Sequence, residues 1–418
     1  MSLLLKSVNV VCPGSTWHQQ VVDILIVDGI VSEIALHIQV PENCRVIHQR
    51  GWHLSPGFVE LHAHFGTPGN EDRETIETGV RAAIAGGFTH VAIVPDNQPT
   101  TDCASAVSYI NKQNEQVPVQ LIPLGAVSKG LKGLELAEIY DMHAQGARAF
   151  YDHKCPITNP NLLKLALQYT KVVQAPVFTH PFDKSLAVNG SMHEGPTSTF
   201  LGMHGMPALS EEVMVQRDLA IQQYAGGRLH FAGISSAGAA SCMAGAGKNC
   251  TADVAFYNLI ETTEALEGYD SHYKVNPPIR EKADVAALWN ALEQGHIHAI
   301  STDHIPWNVE RKQCEFELAA FGMAAIENAF AALLTHKPAA LELGTLIRAL
   351  SHGPREILGL PKADVAVGKP ADFTLFQTEA HLPTDRKRQS AAKNDPYQHL
   401  ELKGRVCGVI FHQFDNLT

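Results

Sequence analysis

Between residues 56 and about 360, short apolar runs alternate with amphipathic stretches, and this alternation constrains the fold more than any other feature of the chain. Runs at 58–61, 89–94, 120–125, 147–151, 176–180, 228–234, near 251–255 and at 298–302 read as strands, rich in Val, Ile, Phe and Thr. Between them, 74–85, 103–114, 133–144, 161–169 and 210–225 carry helical periodicity, the first ending at Gly86-Gly87, a helix C-cap signal. Strands that each feed a helix must lie parallel with both faces covered, and about eight such units predict an α/β architecture, a (β/α)8 TIM barrel. The two ends read differently. Residues 3–11, 23–27, 30–35 and 44–48 are short strands, with a hairpin signal at Asp28-Gly29, and the chain returns to strands after Gly368 and at 406–411. We expect both ends to pair into one small β-sandwich domain, giving units at 1–55, 56–362 and 363–418. The polar stretch 384–397 is expected to be a mobile loop.

Charge and cysteine usage narrow the partners. A formal net charge of −11 over 418 residues argues against nucleic acid and against an anionic membrane surface. No apolar run approaches the ~18 residues needed to span a bilayer. The eight cysteines form no CxxC pair and read as reduced thiols, so a cytoplasmic location is expected.

Chemistry is expected where barrel strands end. The stretch PGFVELHAH (56–64) places His62 and His64 two residues apart, on one face of a strand, where both imidazoles can meet a single cation. Two histidines merely packed in a barrel mouth would be the bland alternative. Other strand ends carry Asp96-Asn97, His153, His180, Gly233 and Thr302-Asp303-His304. Asp303 can serve as a carboxylate ligand and proton acceptor. With His62 and His64 it would give zinc three protein ligands and an open position for water.

Here the chain resembles the dihydroorotase family of the amidohydrolase superfamily. The likeness runs through PGFVELHAHF, PGNEDRETIETGVRAAIAGGFTHVAIVPDNQPTTD, VNPPIR (275–280), STDHIP (301–306) and HGPREILGL…GKPADFTLF (352–376). It implies the barrel with a composite β-domain and zinc-dependent, reversible hydrolysis of a cyclic amide of the dihydroorotate type, a step of pyrimidine biosynthesis. Asp303 would carry the proton to the leaving nitrogen. It further implies Asp96, Asn276, Trp307, Phe321 and Gly322 as substrate-contacting positions, and a homodimer.

Several positions depart from the family pattern. Gly66 stands where relatives carry an arginine that holds the substrate carboxylate, Asp96 where they carry asparagine, and Trp307 where they carry histidine. If the arginine's task has moved, Arg73, Arg81 and Arg148 are the candidates, although each reads as a helix-surface or strand-start residue. The bridging-carboxylate position falls on His153, flanked by Asp152 and Lys154, and a further ligand position falls on Gly233. We therefore expect a single zinc per subunit, drawn from His62, His64, Asp303 and either His153 or His180. Two other readings stay open: a non-catalytic relative retained for assembly with a partner such as aspartate transcarbamoylase, and a hydrolase for a neutral or cationic ring, to which Asp96 would be attractive.

Overall fold

The computed structural model describes residues 2–417. Eight parallel strands form two sections. Phe58–Ala63, Phe88–Ile93 and Gln120–Pro123 make a three-stranded section, and Phe150–Tyr151, Pro176–Thr179, Arg228–Phe231, Cys250–Ala255 and Ala299–Ser301 a five-stranded one, each in sequence order. A parallel bridge between Gly125 and Phe150 joins the third strand to the fourth. On the other side the His64 amide donates to the His304 carbonyl at 2.8 Å, tying the end of the first strand to the end of the eighth. The strands are almost wholly buried because helices cover their outer faces, while Val59, Leu61, Ala92, Ile122, Tyr151 and Phe178 pack together inside.

The helix expected at 74–85 begins at Ile76, with Thr75 as its N-cap and Thr78 completing a reciprocal capping box. The stretch 133–144 yields only Ile139–Ala144, because Gly130, Leu131 and Gly133 adopt positive φ and keep the preceding residues in turns.

Both chain ends enter one mixed sheet. Ser2–Val10 pairs antiparallel with Val21–Val27 and parallel with His53–Pro56, which in turn pairs with Asp372–Leu382. Hydrogen bonding therefore runs through one continuous eight-stranded sheet, where two separate sheets were expected, and Leu5, Val10, Ile24, Leu54, Phe373 and Leu375 lie in its own core.

The stretch 384–397 is not the loose loop its composition suggested. Asn394 is buried and bonds the Ile305 and Gly322 carbonyls at 3.0 and 3.2 Å, and its own carbonyl oxygen accepts from the Trp307 amide at 2.9 Å. Ser390 bonds Glu74, and Tyr397 is buried against Phe256. Polar residues here are anchors for the segment that follows the eighth strand. No helix among the described residues is long and apolar enough to cross a membrane.

Candidate active site

The C-terminal ends of the parallel strands converge on a buried cluster of carboxylates and imidazoles. At its centre is His62, fully buried, with Nδ1 3.2 Å from Asp303 Oδ1 and Nε2 3.0 Å from Asp253 Oδ2. Burial alone would push this imidazole down, but the two carboxylates outweigh it and lift its pKa to about 10. His62 is therefore an imidazolium donating from both nitrogens. Both ring positions, which the sequence reading turned toward a cation, face carboxylates in this structure.

Asp253 sits in the middle of the seventh strand and also receives His230 Nε2 at 2.8 Å, Ser301 Oγ at 3.0 Å and the Gly233 amide at 3.1 Å. Asp303 follows the eighth strand in a left-handed conformation, φ 47°. Lys154 Nζ lies 2.9 Å from its carboxylate, and Tyr257 Oη donates to Oδ2 at 2.7 Å. Burial would raise the Asp303 carboxyl, yet Lys154 and His62 hold it well below the ordinary range, so it is ionised. Tyr257 is pushed well above its usual value by burial and by Asp303, and stays a donor.

Lys154 reaches the cluster because the fourth strand stops at Tyr151 and His153 takes φ 51°. That left-handed residue breaks the alternation assumed from the sequence and turns both His153 and Lys154 toward the strand ends. Asp152 faces elsewhere, accepting from the Val127 and Ser128 amides at 2.8 and 3.0 Å, which removes it as a ligand candidate. His230, three residues before Gly233, is confined beneath His62 by Asp253 and by Phe178, whose ring centroid is 4.3 Å away. Gly233 itself has φ 79°, and a Cβ there would meet Pro277 Cδ at 3.2 Å.

Above the cluster lies a cavity of about 760 Å3, bordered by Arg73, Asp96, His153, Lys154, Asn276 and Trp307 among others. Phe321 also lines it, with its carbonyl held by Trp307 Nε1 at 2.8 Å. The Gly322 carbonyl instead accepts from Lys312 and Asn394, so the expected substrate contact there is already spent on the protein. Asn276 borders the cavity with its Oδ1 buried and unpartnered. Asp96 is 28 % exposed and bonded by His153 Nδ1 at 2.8 Å, with His64 Nε2 3.4 Å away. Burial would raise it, but His64, His153 and Arg73 hold it well below the usual carboxylate range.

Whether these residues suit a metal is decided by atoms left without partners. His180 Nδ1 and Nε2, His153 Nε2 and His64 Nδ1 are all buried with no hydrogen bond. Leaving such atoms unpaired costs about 1–3 kcal/mol each. Burial drives His64 down to about 4, and burial with Lys154 drives His180 down to about 3, so both are neutral, the form that coordinates a cation. His153, His180 and Asp303 are electrostatic neighbours around Lys154. In kind, the donors fit a divalent cation. Among the described residues, however, no three His, Cys, Asp or Glu side chains are gathered into a cation-holding group, because Lys154 caps Asp303 and His62 is turned to two carboxylates.

Lys154 thus competes with any cation for Asp303. In Lys154→Met we expect zinc affinity to rise about tenfold or more, the equivalent of ~1.4 kcal/mol. Equilibrium dialysis with elemental analysis reads this directly, and identical affinity in the two proteins would remove Lys154 from the site. His180→Ala should lose zinc in the same measurement.

Asp253 and Tyr257 were not singled out as site residues from the sequence, and Lys154 was named there only as flanking the bridging-carboxylate position. Asp253 had a legible signal, a carboxylate inside the apolar run TADVA, since a buried charge demands a partner. Tyr257 had none, because it lies in the turn beyond the seventh strand.

Comparison with known proteins bears on the chain's family and fold. Residues 51–239 match the family model described as Dihydro-orotase-like. The dihydroorotase of Pelotomaculum thermopropionicum is 39 % identical over 416 residues, covering 98 % of this chain and 97 % of that one. The dihydroorotase of Syntrophobacter fumaroxidans is 39 % identical over 404 residues, 94 % and 92 % of the two chains. Among solved structures, the L-hydantoinase (dihydropyrimidinase) of Arthrobacter aurescens superposes with a TM-score of 0.88 at 23 % identity, over 99 % of this chain and 96 % of its own. The dihydropyrimidinase of Brevibacillus agri gives 0.83 at 21 %, over 100 % and 95 %. These two likenesses speak to the fold, and the sequence matches to the kinship: the chain belongs to the dihydroorotase family of amidohydrolases.

Proposed function

We propose that this protein catalyses the reversible hydrolysis of dihydroorotate to carbamoyl aspartate, on a (β/α)8 barrel closed at the Gly125–Phe150 and His64–His304 seams. The observation that carries the reading is Asp303, a carboxylate 1 % exposed and kept ionised at the end of the eighth strand, bonded to the Lys154 that borders a cavity large enough for a six-membered ring. Zinc, one ion per subunit, would call on His153, His180 and Asp303, donors that suit it in kind but are not gathered around one point in this structure. When bound it supplies a Lewis acid that polarises the ring carbonyl and makes water acidic enough to attack near neutral pH. Lys154 must leave Asp303 for this to occur.

The rest of the task falls to the chain. Asp303 Oδ2 takes the proton of the attacking water and returns it to the ring nitrogen as the amide bond opens. Tyr257 and His62 fix the carboxylate by donating to Oδ2 and Oδ1, so its orientation does not depend on the substrate. Asn276, with a free buried oxygen, is placed to accept from a ring N–H. Closing the ring from carbamoyl aspartate runs the same proton backwards.

The test is a direct assay in both directions, dihydroorotate consumption and carbamoyl aspartate cyclisation, with zinc supplied. Turnover that zinc chelation abolishes supports the proposal. Absence of turnover in zinc-loaded protein would overturn it.

A further inference from the structure

The departure at Gly66 removes the cation expected to hold a substrate carboxylate, and the structure explains why no side chain can return there. The Asn70 amide bonds the Gly66 carbonyl at 2.6 Å, so the chain after His64 curls back on itself. A Cβ on Gly66 would lie 2.0 Å from the Asn70 oxygen and 2.6 Å from the Glu74 oxygen, both backbone atoms that cannot swing aside. The same curl delivers Arg73 to the cavity wall. Its guanidinium stacks on Trp307, with Cζ 3.6 Å from the ring centroid, and its Nε donates to the Pro306 carbonyl at 2.9 Å. Nη1 comes within 3.3 Å of His64 Nε2, so Nε and Nη1 are both engaged by the protein, and Nη2 is the nitrogen with no protein bond among the described residues.

Trp307, the second departure, is the platform for this cation, and Arg311 approaches the same ring at 5.2 Å. Asp96, the third departure, is an ionised carboxylate on the cavity wall with Oδ1 free of hydrogen bonds, but its charge is partly answered by the protein. It is bonded to His153 and sits beside His64 and Arg73. The cavity walls carry five basic side chains, Arg73, Lys154, Lys184, Lys274 and Arg311, against only Asp96 and Glu317, in a chain whose overall charge is strongly negative. A concave site with that balance attracts an anion.

We infer that Arg73, stacked on Trp307, is the specificity-determining residue that recognises the ligand's carboxylate, so that the site selects an acidic ring amide over the same ring without its acid group. This rests on the cyclic-amide reading above and names the chemistry that reading requires of the substrate. It makes the three departures one compensated change: the backbone closes at position 66, the cation arrives from position 73, and the aromatic ring at 307 holds it in place.

The test compares dihydroorotate with dihydrouracil, the same ring lacking the carboxylate, in wild type, Arg73→Met and Arg73→Lys. The ratio of the two kcat/KM values should fall about 100-fold in Arg73→Met, as expected for loss of a charged hydrogen-bonded contact. Arg73→Lys should keep part of the preference. An equal loss on both rings in Arg73→Met would show that Arg73 only braces the loop and would overturn the inference. If wild type turns over neither compound, the catalytic reading fails, and calorimetric titration with dihydroorotate then decides the fate of Arg73. Binding that Arg73→Met abolishes supports its role, and binding that is unchanged refutes it.

Discussion

Asp303→Asn should lower kcat by roughly 10³-fold or more, at the upper end of the 10²–10⁴ that positioned proton transfer contributes. Asparagine keeps the size and planarity of the side chain but cannot accept a proton at the operating pH. The loss should appear equally in both directions of the reaction, since one carboxylate serves ring opening and closure. A purely structural explanation predicts a different pattern. Tyr257→Phe removes one of the bonds that orient Asp303, the 2.7 Å contact to Oδ2, while leaving the carboxylate ionised by Lys154 and His62. Its expected cost is about tenfold, near the ~1.4 kcal/mol of one bond to a charged group. The two variants should therefore differ by roughly a hundredfold in kcat. If Asp303→Asn retained a tenth of wild-type activity while folded by circular dichroism, the proton would have to travel by another group.

Much of this site was legible in the sequence, and the parts that were not share a cause. Alternating apolar runs and helical stretches located the eight strands because burial on both faces writes itself into composition. His153, His180, Asp303 and Asp96 could be placed because they directly follow those runs. Alternation then failed one residue beyond a strand: at His153, φ 51° reverses the direction of successive side chains, so Lys154 and not Asp152 meets Asp303. Arg73 was expected on a helix surface, but the helix starts at Ile76 and Arg73 belongs to the curl that Gly66 permits. His62 illustrates a different limit. Its neighbour two residues on suggested a ligand pair, and nothing in that spacing announced Asp253, 191 positions away in the chain, 3.0 Å from its Nε2. Local spacing carries no information about which carboxylate a distant strand will bring.

The chain His62–Asp253–His230 leads to the largest expected change in stability. Asp253 is wholly buried and accepts four hydrogen bonds, from His62, His230, Ser301 and the Gly233 amide. Asp253→Ala strands an imidazolium with a single carboxylate and removes the bond that fixes the turn at Gly233. Breaking such a buried pair costs about 3–5 kcal/mol. The pH dependence separates this electrostatic contribution from simple loss of packing. The His62 pKa is raised from 6.5 to about 10 in the folded protein, so its stabilising share is complete below pH 6.5 and disappears as pH rises toward 10. Burial would raise the Asp253 carboxyl, but His62 and His230 pull it below its ordinary 3.8, so its share is present above that value and lost as pH falls. Wild type should then be most stable relative to Asp253→Ala between about pH 4 and 6.5. Apparent melting temperatures of the two proteins at pH 6, 8 and 10 should converge with rising pH, the gap at pH 10 reflecting only the lost neutral contacts. A gap that stays constant from pH 6 to 10 would mean that His62 carries no proton between its two carboxylates, and the site would have to be rebuilt around a neutral imidazole free to bind a cation.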